Sequence, residues 1–306
     1  MEFHSEQVSY GRGGLNISRL GVGTAPLGGL FSPVSDGEVD AVIARGIELG
    51  LTYFDTAPFY GNGSSERRIG QRLREVPRSS FRISTKVGRL LVPTESIEPT
   101  GYFDLDPFNP VFDYSASGIR RSLEESLERL GLDSVDILYI HDPDDYLDQA
   151  INEAYPELDK MRSEGLVSSI GVGTNLAEIG ARFVRETDID VALVAGRYTL
   201  LDQIALEDFL PQALSRNVSV LGAGVFNSGV LVNPVEGATY NYEPAPEEIL
   251  TRARKIHQIL APHNVSLASV GLQFPLRHPA VKAVVSGVRS VKELEGNVVD
   301  FDAPVP

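Results

Sequence analysis

Short β-branched runs alternate with longer amphipathic stretches along nearly the whole chain, and this alternation restricts the fold more than any other feature. The candidate strands are Arg19–Thr24, Thr52–Thr56, Arg82–Lys86, Val135–His141, Val167–Gly173, Val191–Ala195, Val218–Gly222 and Ala280–Ser286. Most are continuous apolar segments, the pattern of parallel strands covered on both faces. Eight of them with helical connectors predict an α/β fold, a (β/α)8 TIM barrel.

The connectors carry helix signals. Ser35-Asp36-Gly37-Glu38 reads as a capping box, followed by Val39, Val42, Ile43 and Ile47 on one face. Over Ser117–Leu130, Ile119, Leu123, Leu127 and Leu130 form a stripe, and Gly131 is placed to end the helix. A third stripe, Leu147, Ile151, Ala154, Leu158 and Met161, stops near Gly165, and Ser290-Val291-Lys292-Glu293 is a second capping box opening a last helix. Two features lie outside the repeat. Val8–Ile17, turning through Gly11-Arg12-Gly13-Gly14, reads as an N-terminal hairpin. Gly88–Tyr114 and Phe226–Pro246 read as long loops, the first without helical period and carrying Pro93, Pro99, Pro107 and Pro110. The alternation resumes in phase after each, so residues 1–306 are expected to form one domain, a length that alone fits one large barrel or two smaller units.

Composition narrows the partners. No apolar run approaches the ~18 residues of a membrane span, and Met1–Glu6 shows no basic-then-apolar leader pattern. No membrane association and a cytoplasmic location are therefore expected. With no cysteine there are no disulfides, thiolate zinc sites or cysteine nucleophiles. A net charge of −15, without a basic run, speaks against nucleic acid. A small molecule is the expected partner.

In such a barrel the C-terminal strand ends face the active site. There the chain places Asp55, Lys86 and His141, with Tyr60 in the loop five residues after Asp55. Singly, each has a structural explanation: a turn cap for Asp55, a surface position for Lys86, a packed loop aromatic for Tyr60, and a solvated turn for His141-Asp142-Pro143-Asp144-Asp145. A metal is not expected, because adjacent Asp residues do not project to one point and no second strand-end His joins them. Together the four suit proton transfer coupled to hydride transfer. A phenol donates the proton to a carbonyl oxygen that gains charge; the reverse reaction needs phenolate, which an ammonium held by a carboxylate would favour. A neutral His would hydrogen-bond the substrate oxygen.

Phe54-Asp55-Thr56-Ala57-Pro58-Phe59-Tyr60-Gly61, continuing through Ser65-Glu66-Arg67-Arg68-Ile69-Gly70, resembles the signature of the aldo-keto reductase family. Ser84-Thr85-Lys86, Ile140-His141-Asp142, Gly171–Asn175 and a last helix ending in Asn297 fall at that family's spacings, so the resemblance spans essentially the whole chain. It implies Tyr60 as proton donor or acceptor, assisted by Lys86, Asp55 and His141, and NAD or NADP bound extended without a Rossmann unit. No Gly-rich Rossmann fingerprint is present. Phe112–Ser115, His141–Asp145 and Phe226–Leu231 further resemble a branch containing 1-dehydrogenases of L-fucose, L-galactose and D-threo-aldoses, and pyridoxal 4-dehydrogenase. Each of these substrates is a cyclic hemiacetal oxidised to a lactone; the rival within the family is reduction of an aldehyde or ketone. A remoter rival is a cofactor-binding regulatory subunit without catalysis.

The resemblance also implies a cofactor set. Gly23, Thr24, Asp55, Thr174 and Asn175 belong to it, with Asn175 matching the residue that holds the carboxamide, although Asn175 also reads as a helix N-cap before Glu178. Gly224, Phe226 and Ser228 match pyrophosphate positions, and Gly287, Val288, Arg289, Glu293 and Asn297 surround the adenosine. Ala195 replaces the family's usual Gln and Ala223 its nicotinamide-stacking aromatic, leaving Phe226 or Tyr198 as the aromatic candidates. Glu293, at the family's usual Arg position, would repel a 2′-phosphate, and Arg289 would attract one. NAD is therefore expected to be preferred or at least accepted.

Overall fold

The computed structural model describes residues 2–103 and 105–305. Eight parallel strands close into a barrel: β1 (Leu20–Gly23), β2 (Tyr53–Asp55), β3 (Arg82–Val87), β4 (Ile137–His141), β5 (Ser169–Thr174), β6 (Val191–Ala195), β7 (Ser219–Ala223) and β8 (Val281–Gly287). Each pairs with the next in sequence, and β8 returns to β1 with Gly287 opposite Gly23. All eight candidate strands are present, most of them trimmed or shifted by a residue or two at the ends.

Burial follows the two-sided logic of such a sheet. One set of alternating residues packs against the helices, as Val22, Phe54, Ile83, Leu138, Ile140, Ile170 and Val172 do. The opposite set, Tyr53, Ile137, Tyr139, Val191, Leu193, Leu221, Ala283 and Val285, forms a separate core inside the barrel. Gly21 belongs to the inner set because a Cβ there would meet the Tyr53 ring at 2.6 Å. The N-terminal hairpin, Gln7–Tyr10 paired with Leu15–Ser18, closes this core from below. It inserts Tyr10, Leu15 and Ile17, and the Tyr10 hydroxyl lies 2.8 Å from that of Tyr139.

The helices are α1 (Asp36–Glu48), α2 (Ser64–Leu73), α3 (Ala116–Leu130), α4 (Tyr155–Ser163), α5 (Ala177–Glu186), α6 (Phe209–Ser215), α7 (Glu247–Leu260), α8 (Leu267–Gln273) and α9 (Val291–Asp302). Ser35 caps α1 by accepting from the Glu38 amide. Ser115 does the same for Gly118 in α3, which ends at left-handed Gly131. The stripe from Leu147 enters α4 through a π turn at Ala150–Ala154.

Gly88–Tyr114 is not the loop expected. Arg89–Pro93 and Phe108–Phe112 form an antiparallel ribbon within it. Its strand formers, Leu90, Leu91, Val92, Val111 and Phe112, were masked by the prolines, but a two-stranded ribbon accommodates proline where a ladder amide is not needed. Phe226–Pro246 likewise contains a short bridge pair, Thr239–Tyr240 with Glu243–Pro244.

Candidate active site

Asp55 and Lys86 lie on the inward-facing set of their strands, two residues beyond Tyr53 and Ser84, and His141 lies two beyond Tyr139. The barrel thus turns a sequence register into a shared rim. Lys86 Nζ, on a side chain 1% exposed, is 2.8 Å from Asp55 Oδ2, 2.9 Å from the Thr56 carbonyl and 3.0 Å from the Tyr60 hydroxyl. The structure therefore brings three of the four together directly, and the His141 ring stands edge-on to Tyr60 at 5.9 Å.

Asp55 is supported from below. Its Oδ1 accepts from Ser84 Oγ at 2.7 Å, and Ser84 is 2.8 Å from the Tyr53 hydroxyl, both buried. Because the serine proton is spent on Asp55, Tyr53 donates to Ser84, and the chain of hydroxyls points its donors at the carboxylate. Inverse spacing from Asp55 and Lys86 gives the signal for this pair, which the sequence reading missed.

Tyr60 is aimed by the loop that follows β2. Its amide bonds the Ala57 carbonyl and its carbonyl accepts from Ser65, the second residue of α2. Gly61 sits at φ 65°, and a Cβ there would collide with Ser64 Oγ and the Gly28 carbonyl. Glu66, fully buried, accepts from Thr85 Oγ1 at 2.5 Å and Arg129 Nε at 2.7 Å, locking α2 to β3 and α3. Much of the Phe54–Gly70 signature is therefore scaffold for the tyrosine.

Electrostatics differ from expectation in one respect. Burial pushes the Tyr60 phenol well above its usual 10.0, with Asp55, Tyr242 and Asp142 adding to the rise and Arg89 opposing it. Lys86 was expected to lower it; burial dominates instead, and the phenol is held neutral. Burial, then Arg89 and Lys86, depresses His141 well below 6.5, leaving it uncharged at neutral pH and able to donate one N–H.

Residues from outside the barrel strands complete the rim. Tyr102 stacks on Tyr60 at 6.3 Å and meets Phe59 edge-on at 5.7 Å. Tyr242 stacks on Phe31 at 6.2 Å. Asp142 was read as part of a solvated turn; instead it pairs with Arg89 at 3.1 Å and lies 3.4 Å from His141 Nε2.

The cofactor positions divide into clusters. Gly224 has φ 58°, and a Cβ there would press on the Gly196 amide at 3.0 Å; a Cβ on Gly287 would meet Pro26 at 2.9 Å, and one on Gly23 the Gly287 amide at 3.3 Å. At Gly224 and Gly287 a side chain would crowd the chain's own atoms, and at Gly23 the neighbour would have to give, so these glycines close the packing between strand ends and the loops beside them. Ser228 is also left-handed, at φ 63°, and its Oγ accepts from the Tyr242 amide. Asn175 lines a cleft of about 150 Å³ with Asp142, and its carbonyl accepts from Arg197. It is not an N-cap, since α5 starts at Ala177 after Leu176. Thr174 Oγ1 accepts from the Leu176 amide. Thr24 is fully buried, with both its amide and its hydroxyl donating to the Asp55 carbonyl. Of the two aromatic candidates, Tyr198 packs on Phe274 and His278, and Phe226 lies against Gly271.

At α9, Ser290 Oγ accepts from the Glu293 amide, but the glutamate does not reach back to Ser290 as a capping box requires. It accepts from the Arg289 amide at 2.8 Å and guanidinium at 3.0 Å, because the arginine offers both donors one residue earlier. Arg289 and Glu293, expected to pull on a 2′-phosphate in opposite senses, neutralise each other. Asn297 Nδ2 donates to Ser286 Oγ, and Val288 is buried.

A model of the aldo/keto reductase family matches residues 19–305. The chain is 40% identical to a pyridoxal 4-dehydrogenase of Microbacterium luteolum, covering 99% of this chain and 94% of that protein. It is 42% identical to a D-threo-aldose 1-dehydrogenase of a Pseudomonas species, over 93% of this chain and 89% of the other. With an L-galactose dehydrogenase of Arabidopsis thaliana the identity is 32%, over 96% and 87%.

Proposed function

The chain belongs to the aldo/keto reductase family and is an NAD(P)-dependent oxidoreductase, and from that premise we propose that it oxidises the anomeric hydroxyl of an aldose, or of a pyridoxal-like hemiacetal, to a lactone. The observation that carries this reading is the Tyr60 hydroxyl held 3.0 Å from Lys86, itself fixed by Asp55, beside an uncharged His141. Relatives that act on such substrates by name support the hemiacetal over a simple alcohol.

When bound, the nicotinamide supplies the two-electron chemistry, taking hydride from the carbon in oxidation and returning it in reduction. The protein's residues handle the proton. Tyr60 as phenolate takes it from the anomeric hydroxyl, the oxygen's electrons close to the C=O of the lactone, and Lys86 stabilises the phenolate. Asp55 and the Thr56 carbonyl hold Lys86 in place. His141 donates to the reacting oxygen and orients it. Gly23, Thr24, Thr174, Asn175, Gly224, Phe226, Ser228 and Gly287 through Asn297 form the proposed cofactor track, with the whole chain acting as one barrel domain. NAD is the preferred nucleotide in this reading, because the Glu293 carboxylate occupies Arg289.

One observation favours a second reading, reduction of an aldehyde: burial keeps Tyr60 protonated, the state a proton donor needs. A spectrophotometric screen with L-galactose, L-fucose, D-arabinose and pyridoxal in the oxidative direction, and simple aldehydes in the reductive one, separates them. Higher kcat/KM for an aldose at alkaline pH supports the dehydrogenase; turnover confined to aldehyde reduction overturns it.

A further inference from the structure

The chemistry above uses Asp55, Tyr60, Lys86 and His141 and leaves one half-buried ion pair on the same rim without a task. Asp142 follows His141 where the chain leaves β4 with φ 41°, a left-handed conformation that Asp tolerates better than most residues. The turn directs its carboxylate inward: the side chain is 18% exposed, with Oδ2 lying 3.1 Å from Arg89 and 3.4 Å from His141 Nε2. Arg89, at the base of the ribbon, is clamped over the rings of Phe59 at 4.1 Å and Phe112 at 5.1 Å. Its Nε is buried and out of a ligand's reach, but its Nη1, not buried in this way, makes no hydrogen bond to a described residue. Asp142 Oδ1 likewise accepts from no described residue, and Arg89 and Asp142 line the 150 Å³ cleft together with Asn175 and Tyr146. An acceptor and a donor are thus both unspent beside the histidine that would orient the reacting oxygen.

We propose that Asp142 and Arg89 form the subsite for the hydroxyl on the carbon next to the one oxidised, Asp142 accepting its O–H and Arg89 donating to its oxygen. This rests on the aldose form of the hemiacetal reading, since a pyridoxal-like hemiacetal has no hydroxyl on the neighbouring carbon, and it names what that aldose must carry. If the anomeric oxygen sits at His141 and Tyr60, a vicinal oxygen is the next polar atom along the ring, and the next polar groups on the protein are these two. A simple aldehyde or ketone brings no such hydroxyl and would leave Asp142 Oδ1 without a substrate partner. Sites built to hydrogen-bond a substrate hydroxyl discriminate strongly against analogues that lack it.

The test compares kcat/KM for L-galactose with 2-deoxy-L-galactose, and L-fucose with 2-deoxy-L-fucose, in wild type and in Asp142→Asn. A 2-hydroxyl withdraws electrons and by itself slows hydride loss from C1, so any preference for it comes from the protein. The wild type is expected to prefer the 2-hydroxy sugar by about 10- to 100-fold, the range of a hydrogen bond to a charged group. In Asp142→Asn that ratio should fall at least severalfold, the loss concentrated on the 2-hydroxy sugar. No preference in the wild type overturns the proposal without any variant. Equal losses on both sugars in Asp142→Asn also overturn it, since they would mean that Asp142 acts only by orienting His141. Failure of the wild type to oxidise any aldose overturns this subsite; the hemiacetal reading falls with it only if pyridoxal is not oxidised either and aldehydes are still reduced.

Discussion

Tyr60 is held at the meeting point of two opposed effects. Burial raises its pKa, while the Lys86 ammonium 3.0 Å away favours the charged form whenever the proton leaves. In the proposed mechanism Tyr60→Phe removes the group that carries the proton, so turnover should fall by about 10²- to 10⁴-fold. Cofactor binding, measured by isothermal titration calorimetry, should be little changed. Lys86→Met should cause comparable damage, because the phenolate would lose the ammonium that stabilises it. Substantial activity in Tyr60→Phe at every pH would sink the assignment. Ser84 provides a subtler test. Ser84→Ala leaves Asp55 Oδ1 and the Tyr53 hydroxyl without their buried partner, a cost of about 1–3 kcal/mol. We expect kcat to fall while the KM for sugar changes little, since Ser84 acts through Asp55 and Lys86 and not on substrate. A change confined to KM would place Ser84 in substrate binding instead.

At the level of elements, the strands and the rim were readable from sequence for the same reason. Tyr53/Asp55, Ser84/Lys86 and Tyr139/His141 keep a period of two into the last residue of the apolar run, and a parallel barrel points that set inward. Arg89, Tyr102 and Tyr242 were not readable. They sit in segments without periodicity, where prolines hid a ribbon and where backbone turns such as Tyr242 at φ 67° decide which way a side chain faces. The start of α9 was half readable: Ser290 caps as expected, but the Glu293 carboxylate chose the Arg289 donors one position earlier. That pair carries a prediction. Glu293→Gln should free Arg289, remove a negative charge from the proposed 2′-phosphate position, and raise the NADP-to-NAD ratio of kcat/KM by about fivefold, as for a partly exposed ion pair. An unchanged ratio would show that neither side chain meets the nucleotide.

For the whole molecule, the barrel separates stability from chemistry along its axis. The hairpin closes the lower end with Tyr10, Leu15 and Ile17, while the upper rim collects the charged and titratable groups. Tyr10→Ala would hollow the barrel floor and strand the Tyr139 hydroxyl, so we expect a loss of about 3–5 kcal/mol in urea unfolding. A loss below about 1 kcal/mol would mean that the hairpin is not part of the core. The central claim, that Tyr60 serves as the base for hemiacetal oxidation, concerns the rim. Its sign follows from the raised pKa. Below that pKa the phenolate fraction grows about tenfold per pH unit, whereas the neutral phenol needed for reduction is already fully present. The most direct measurement is therefore kcat/KM for oxidation of a good aldose from about pH 6 to about pH 10 under conditions where hydride transfer limits the rate. The account predicts a continuous rise without a plateau below about pH 10, absent in Tyr60→Phe, while aldehyde reduction stays level over the same range. A flat oxidation profile, or a rise that survives in Tyr60→Phe, would contradict it.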